Sequence, residues 1–405
     1  MPLQDRNMGR KITKNVIENK FNNTMKGAIV IEGHVQGLSN TRSLGELGIP
    51  VYVIDVVHSL AQHSKYCKKY FRCPAFNSTE FVPFLISLAQ KESLQGWFLI
   101  GSNDHIVENL SLHYEELKPY YTMCVPTKEQ LYRIIDKEQL MGIAEQCGTH
   151  IPATCDKEHI EKAKTMRYPL LLKGRLGLSF YKSTHKKAIQ ADNYDALCSA
   201  VKSLEGVTDD IMIQELVPFD EKNRVVSFTC FAISGEIKAY WMGKKLREHP
   251  IQYGTATMAE SILLPEIVEE ARPLVAALNY TGTCEIEFMY DNRDNVWKLI
   301  EINPRTWLWV GLAKECGIDY AKMMYRYVNG IEQNYPDIYK VGLKWRNSIT
   351  DLIYSMKAIA KGRLTLGEYC RSFRGEKMHA IWSWKDLMPG IIFPFMLVYI
   401  AKKRG

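Results

Sequence analysis

The segment from Cys284 to Asn303 constrains the fold more than any other. It reads Cys284-Glu285-Ile286-Glu287-Phe288-Met289-Tyr290, then Asp291-Asn292-Arg293-Asp294-Asn295, then Val296-Trp297-Lys298-Leu299-Ile300-Glu301-Ile302-Asn303. Both arms alternate with period two around a middle rich in turn formers, which predicts an antiparallel hairpin. A turn centred on Asp294 sets Glu287 opposite Glu301 and Glu285 opposite Asn303, and leaves Ile286, Phe288, Ile300 and Ile302 on the other, core-facing side. Like charges directly across a strand pair destabilise it, and nothing on this face of the hairpin neutralises them. A divalent cation would, because carboxylate oxygens and an Asn carbonyl are hard ligands of the kind Mg²⁺ takes, with water and substrate phosphates completing its shell. An ordinary solvated acidic face is the plainer alternative.

The rest of the chain narrows the class. At 405 residues, 46% hydrophobic and 24% charged, it has room for two or three domains and is not low-complexity. The formal net charge of +7 is mild for this length; it suits an anionic substrate and does not demand nucleic acid. Ten cysteines form no CxxC pair and no Cys/His cluster of zinc-like spacing, so they read as reduced thiols of a cytoplasmic protein. Residues 1–26 are polar and basic without an apolar run, which predicts a disordered leader rather than a signal or anchor, with Met25 an alternative start.

Along the chain, a strand over 28–31, a glycine-bearing loop, a helix over 39–47 and a strand over 50–55 make a βαβ unit, with a further strand over 97–100. The loop Gly33-His34-Val35-Gln36-Gly37-Leu38 lacks the GxGxxG dinucleotide fingerprint, which argues against a nicotinamide-dependent oxidoreductase. Arg42 and the loop from Gly33 to Ser39, at the helix N-terminus, either grip an anionic substrate or merely shape the turn. Asp136 is placed as the N-cap of a helix over 137–147. Short apolar runs, 170–172, 211–213, 225–231 and 237–241, then give an antiparallel α+β region, and after Tyr327 the pattern is mainly helical. The expected organisation is a leader, 1–26; an α/β Rossmann-like unit, 27–124; an α+β region of two subdomains, 125–330; and a helical C-terminal extension, 331–405. Residues 388–401 are uncharged and mostly apolar, too few to span a membrane, and are followed by Lys402-Lys403-Arg404; a membrane-surface anchor and a helix docked on the body are both open.

Several further residues suit phosphoryl chemistry. Arg305 follows the hairpin directly, Lys137 opens a helix, and Lys173 ends the run Leu170-Leu171-Leu172 before Gly174-Arg175-Leu176-Gly177. The ordered set Asp136-Lys137, Leu172-Lys173, Ile213-Gln214-Glu215-Leu216-Val217-Pro218, Glu287 and Glu301-Ile302-Asn303-Pro304-Arg305 resembles the ATP-grasp superfamily over roughly residues 27–327. Arg42-Ser43-Leu44-Gly45 and Lys245-Leu246-Arg247 look most like its carboxylate-amine ligase branch, which includes D-aspartate ligase and carbamoyl phosphate synthase-like proteins.

The resemblance implies that the Rossmann-like unit is a pre-ATP-grasp domain and that the α+β region grasps ATP. Lys137 and Lys173 would contact ATP phosphates, the loop from Gly174 through Arg175 to Gly177 would cover them, and Gln214, Glu215, Leu216 and Val217 would bind adenine largely through the backbone. Glu221 or its neighbour Asp220 would take the ribose. Glu287, Glu301 and Asn303 would hold two Mg²⁺ ions, with Mn²⁺ able to replace them, and Glu285 would support the metal or orient Arg305. Arg305 would stabilise the transferred group, while Lys244 and Arg247 are candidates for phosphate or the acceptor carboxylate. The activity implied is amide formation between small-molecule carboxylate and amine substrates through an acyl phosphate, releasing ADP and phosphate, on an amino acid or peptide-like cell-envelope precursor. The competing expectation is an ATP-binding sensor or assembly protein without turnover. No nucleic-acid partner is expected; a homodimer and a peripheral membrane contact through the C-terminal tail are both left open.

Overall fold

The computed structural model describes residues 26–219, 225–249 and 254–404. The expected leader, with Met25, and the ribose candidates Asp220 and Glu221 lie outside these residues.

The first unit is a five-stranded, all-parallel sheet of β1 (Ala28–Ile31), β2 (Val51–Asp55), β3 (Cys67–Arg72), β4 (Trp97–Gly101) and β5 (Tyr121–Met123) in the order β3-β2-β1-β4-β5. All four residues of β1 are buried, because helices cover both faces. Ile29 and Ile31 pack with Leu85, Leu88 and Ile106 on one side, while Ala28 and Val30 pack with Val35, Leu38 and Leu44 on the other. The helix after β1 starts at Val35, four residues before the sequence pattern suggests, because Gln36 and Gly37 are buried within it: a Cβ on Gly37 would lie 2.0 Å from the Glu32 carbonyl oxygen. Strand β3 is invisible in the sequence, since an edge strand bearing Lys68 and Lys69 has no buried apolar run. The strand order reverses between β1 and β4, which opens a crevice at their carboxyl ends.

A four-stranded antiparallel sheet follows, built from β6 (Thr154–Asp156), β7 (Leu170–Gly174), β8 (Ala188–Ala191) and β9 (Ile211–Glu215) in the order β6-β9-β7-β8. Leu170, Leu172 and Ile213 pack there against Phe180 and Leu197 of the helices Gly177–Thr184 and Tyr194–Leu204.

The third sheet contains β10 (Val226–Ile233), β11 (Glu236–His249), β12 (Thr255–Ile262), β13 (Gly282–Asp291), β14 (Val296–Asn303), β15 (Lys344–Arg346) and β16 (Lys377–His379), in the order β14-β13-β10-β11-β12-β15-β16. One face buries Phe228, Cys230, Ile286, Phe288, Leu299 and Ile302 beneath the helix Pro265–Ala277. The C-terminal region therefore supplies the last two strands at one side of this sheet as well as the helices Ser348–Ala360, Leu366–Arg371 and Met388–Arg404.

Two arginines with expected substrate roles instead fasten this C-terminal region. Arg42 donates from Nε to Asp386 Oδ2 at 2.9 Å and from Nη2 to the carbonyls of Ile381 and Asp386. Arg247 grips Asp351 through Nε and Nη2, at 2.7 and 2.8 Å, and Arg346 donates to the same carboxylate at 3.0 Å. Asp351 is fully buried, so both guanidiniums are committed to compensating it. Neither arginine is offered to a ligand.

Removing one member of such a buried pair leaves the other uncompensated, at a cost of about 3–5 kcal/mol. Asp351→Ala is expected to lower unfolding stability by that amount in urea melts, and Arg247→Ala by a similar amount. If Arg247→Ala abolished catalysis with an unchanged melt, Arg247 would belong to the site and not to the scaffold.

Candidate active site

The site is set by the parity of strands. Strand β13 pairs with β14 so that Glu285 faces Asn303 and Glu287 faces Glu301, as the alternation predicts. On its other side β13 pairs with β10, setting Thr229 beside Glu285 and Ser227 beside Glu287. Ser227 in turn faces Gly243 of β11, and two residues along from Gly243 is Lys245. Residues paired across a sheet share a face, so the carboxylates, the amide and Lys245 all project to one side.

Register shifts once, between Glu287 and Phe288, where Phe288 pairs with Leu299 and Ile300 is the extra residue. This bulge corrects the expected core: Leu299 joins Ile286, Phe288 and Ile302, while Ile300 turns to a small cluster with Val217, Val225 and Met289. One inserted residue reverses the facing of those beyond it.

The carboxylates are not equivalent. Glu285 is 4% exposed and accepts from Ser227 Oγ at 2.7 Å; burial, and then the charge of Glu287, push its carboxyl up to about 7. Glu287 accepts from Lys245 Nζ at 3.1 Å. Burial also disfavours ionised Glu301, yet Lys137, Lys173 and Arg305 together hold it below the ordinary carboxylate range. Asn303 Nδ2 points to Glu301 and Glu285 at 3.3 and 3.4 Å, and its Oδ1 accepts from Arg305 Nη2 at 3.1 Å.

Cations converge on this face from several elements. Lys137 opens the helix Lys137–Gln146, whose N-cap Asp136 accepts from the backbone N–H groups of Glu138 and Gln139. Lys173, on β7, donates to Gln214 Oε1 at 2.8 Å; burial and the neighbouring charge of Lys137 push its ammonium down to about 8. Arg305 donates to Asp104 through Nε at 2.5 Å, which ties the hairpin to the β4 end of the parallel sheet, and Asn40 Nδ2 reaches Thr306 Oγ1 at 3.3 Å beside it. The crevice of the first unit thus opens onto Arg305.

Other sequence candidates are placed differently from expectation. Residues 174–177 form a tight two-residue link, not an open loop, because Phe180 is buried and a Cβ on Gly174 would lie 2.0 Å from its Cβ. Arg175 within that link is closed onto Asp136, at 2.7 and 2.8 Å, and pairs with Glu138 at 2.7 Å, so it braces the start of the Lys137 helix. The Glu215 carboxylate is taken by Arg167, which donates its backbone N–H at 2.8 Å and Nε at 3.2 Å. Leu216 already uses its N–H on Pro169 O and accepts from Arg293, while Val217 is buried in the small apolar cluster. Lys244 lies on the opposite face of the sheet, where it pairs with Glu260 at 3.6 Å. The residues that sequence reasoning missed are Lys245, Ser227 and Asp104. Lys245 was legible by counting in twos from the buried Trp241; the other two needed the tertiary structure.

Among the described residues no three His, Cys, Asp or Glu side chains converge on one point. A cation held here would take Glu287, Glu301 and the Asn303 carbonyl after its amide turns, with water and substrate oxygens completing the shell. That hard, oxygen-only donor set fits Mg²⁺.

The family described as carbamoyl-phosphate synthase L chain, ATP binding domain, matches residues 250–334, the stretch that carries Glu285, Glu287, Glu301, Asn303 and Arg305. D-Aspartate ligase of Enterococcus faecium (strain Aus0004) is 22% identical over 246 residues, 56% of this chain and 58% of that protein. The chain therefore matches somewhat more than half the length of that relative. The biotin carboxylase domain of Hydrogenobacter thermophilus 2-oxoglutarate carboxylase, solved with MgADP, ADP and bicarbonate, superposes with a TM-score of 0.61 at 16% identity, covering 78% of this chain and 73% of that one. L-Amino acid ligase from Bacillus licheniformis gives a TM-score of 0.56 at 16% identity, covering 75% and 74%. Together these likenesses support an ATP-grasp fold with mixed α and β content.

The depressed Lys173 ammonium is directly measurable. In competitive amine labelling of the ligand-free protein, Lys173 is expected to titrate with a midpoint near 8, well below the ordinary lysine range. Lys137→Met removes the second-largest cause and should move that midpoint upward. An unmoved midpoint would mean that the two ammoniums do not share one site.

Proposed function

We propose that this chain is an ATP-dependent, ADP-forming carboxylate-amine ligase. The observation that carries the reading is the facing pair Glu287 and Glu301, with Asn303 beside it, ringed by Lys137, Lys173, Lys245 and Arg305. Phosphoryl transfer needs charge neutralisation and in-line positioning more than it needs a protein nucleophile, and this face supplies both signs of charge.

In this reading Lys137 and Lys173 hold the ATP phosphates, and the Gly174–Arg175 link braces Lys137. The segment Gln214 to Val217, with its apolar cluster, receives adenine, and Asp220 or Glu221 takes the ribose. Glu287, Glu301 and Asn303 would hold two Mg²⁺ ions, or Mn²⁺ in their place, which would supply charge neutralisation at the ATP phosphates. A substrate carboxylate oxygen then attacks the γ-phosphorus as the bond to the β-phosphate oxygen breaks, giving an acyl phosphate and ADP. An amine attacks the acyl carbon, phosphate leaves and the amine nitrogen loses its proton, completing the amide. Arg305, held by Asp104 and Asn303, and Lys245, held by Glu287, lie where they would bind the carboxylate and the transferred phosphoryl group. The names of the ligase relatives support amino acid or peptide-like substrates, and the parallel sheet at 27–124 serves as the pre-ATP-grasp unit whose crevice admits them.

The test is ADP and phosphate release with Mg-ATP and a panel of L- and D-amino acids offered as carboxylate donors and amine acceptors, beside Glu301→Gln. Substrate-dependent ADP release that falls about 100-fold or more in the variant is expected. Equal turnover in Glu301→Gln would remove the carboxylate pair from the mechanism, and AMP as product would exclude the acyl phosphate route.

A further inference from the structure

One helix of the C-terminal region turns polar residues inward. In the helix Ser348–Ala360 the buried residues are polar, Asp351 and Ser355, while Leu352, Ile353 and Met356 are exposed to solvent. The reason is the arginine grip on Asp351, which draws the polar side of the helix inward and leaves its apolar side facing out. A surface helix of a globular protein normally does the reverse.

The last helix is apolar on both its buried and its exposed side. One side of Met388–Arg404 buries Phe393 and Met396 in the core that includes Leu60 and Ala61, while Met388, Ile391 and Phe395 are exposed, Phe395 at 74%. Trp384, just before it, is 83% exposed. Seventeen residues make about 25 Å of helix, less than the roughly 30 Å hydrocarbon core. Because one side is packed on the body, this helix lies along the protein surface; among the described residues no helix is long and apolar enough to cross a membrane.

Charge follows the same partition. Residues 340–404 hold thirteen Lys and Arg against four Asp and Glu, a net +9, whereas the whole chain is only +7, so the remainder is −2. Two of those four acids, Asp351 and Asp386, are buried on arginines, and Glu376 pairs with Lys340. Exposed cations, Lys357, Lys361, Arg363 and Lys385, stand within a few residues in sequence of the exposed apolar side chains. Exposed aromatic and aliphatic residues bordered by uncompensated cations match the interface of an anionic bilayer, where the apolar tips enter the headgroup boundary and the cations meet lipid phosphates.

We propose that residues 340–404 form a docking surface for an anionic lipid bilayer, which holds the protein peripherally at a membrane. The proposal stands independently of the reaction.

The experiment is co-sedimentation of the full chain with vesicles of phosphatidylcholine alone and of phosphatidylcholine with 30% phosphatidylglycerol, at low and high salt. Binding to the anionic vesicles only, weakened by salt, is expected. Lys357→Glu with Lys361→Glu should lower partitioning about fivefold or more per cation, and Trp384→Asp with Phe395→Asp at least tenfold, both with unchanged thermal melts and ATP turnover. Equal binding to neutral vesicles, or no binding to either, would overturn the proposal. So would a concentration-dependent dimer in sedimentation velocity that the same substitutions abolish while vesicles go unbound, since the surface would then belong to a second copy.

Discussion

Three carboxylates on one face of a β-sheet are an electrostatic liability, and the arrangement of the molecule follows from how that liability is met. Glu285, Glu287 and Glu301 lie on neighbouring positions of β13 and β14, where like charges repel and burial adds to the cost. The compensating cations come from four places: the start of the Lys137 helix, β7, β11 and the residue after the hairpin. No single unit of the fold is electrically complete at this face. The raised Glu285 carboxyl and the depressed Lys173 ammonium are two expressions of one imbalance, in which buried like charges crowd on each side. A polyanion with a divalent cation fits between such layers because it supplies both signs of charge at once.

Much of this was legible in the sequence, for a simple reason. A hairpin has period two and a short turn, so the opposition of Glu287 to Glu301 follows from counting. The N-cap of Asp136 and the buried run of β1 are equally local. What failed were inferences needing parity carried past an irregularity, or a partner far along the chain. The bulge at Glu287 exchanges Leu299 for Ile300 in the core. Choosing Lys244 over Lys245 is a parity error of one residue, and it moves the ammonium to the other face of the sheet. Arg42 and Arg247 look like ligand-binding arginines until Asp386 and Asp351 are brought to them by the tertiary fold.

Those two arginines connect the site to the periphery. By closing on buried aspartates they fasten the C-terminal region to the parallel sheet and to β11, the strand that also carries Lys245. Polar anchoring of this kind has a geometric consequence. A helix has one side toward the body, and if that side is occupied by an ion pair, its apolar residues must point elsewhere. The outward Leu352, Ile353 and Met356 are thus the counterpart of the inward Asp351.

The same division governs the distribution of cations. At the carboxylate face Lys173, Lys245 and Arg305 each have an acid or amide partner within hydrogen-bond reach, so their charge is spent locally. Across residues 340–404 the acids are few and mostly committed, so the cations there act on whatever approaches from solution. A mild +7 averaged over the chain hides both facts. Net charge describes a molecule's surroundings only when it is resolved by region, and here the resolution separates charge turned inward onto the carboxylate face from charge turned outward to solvent.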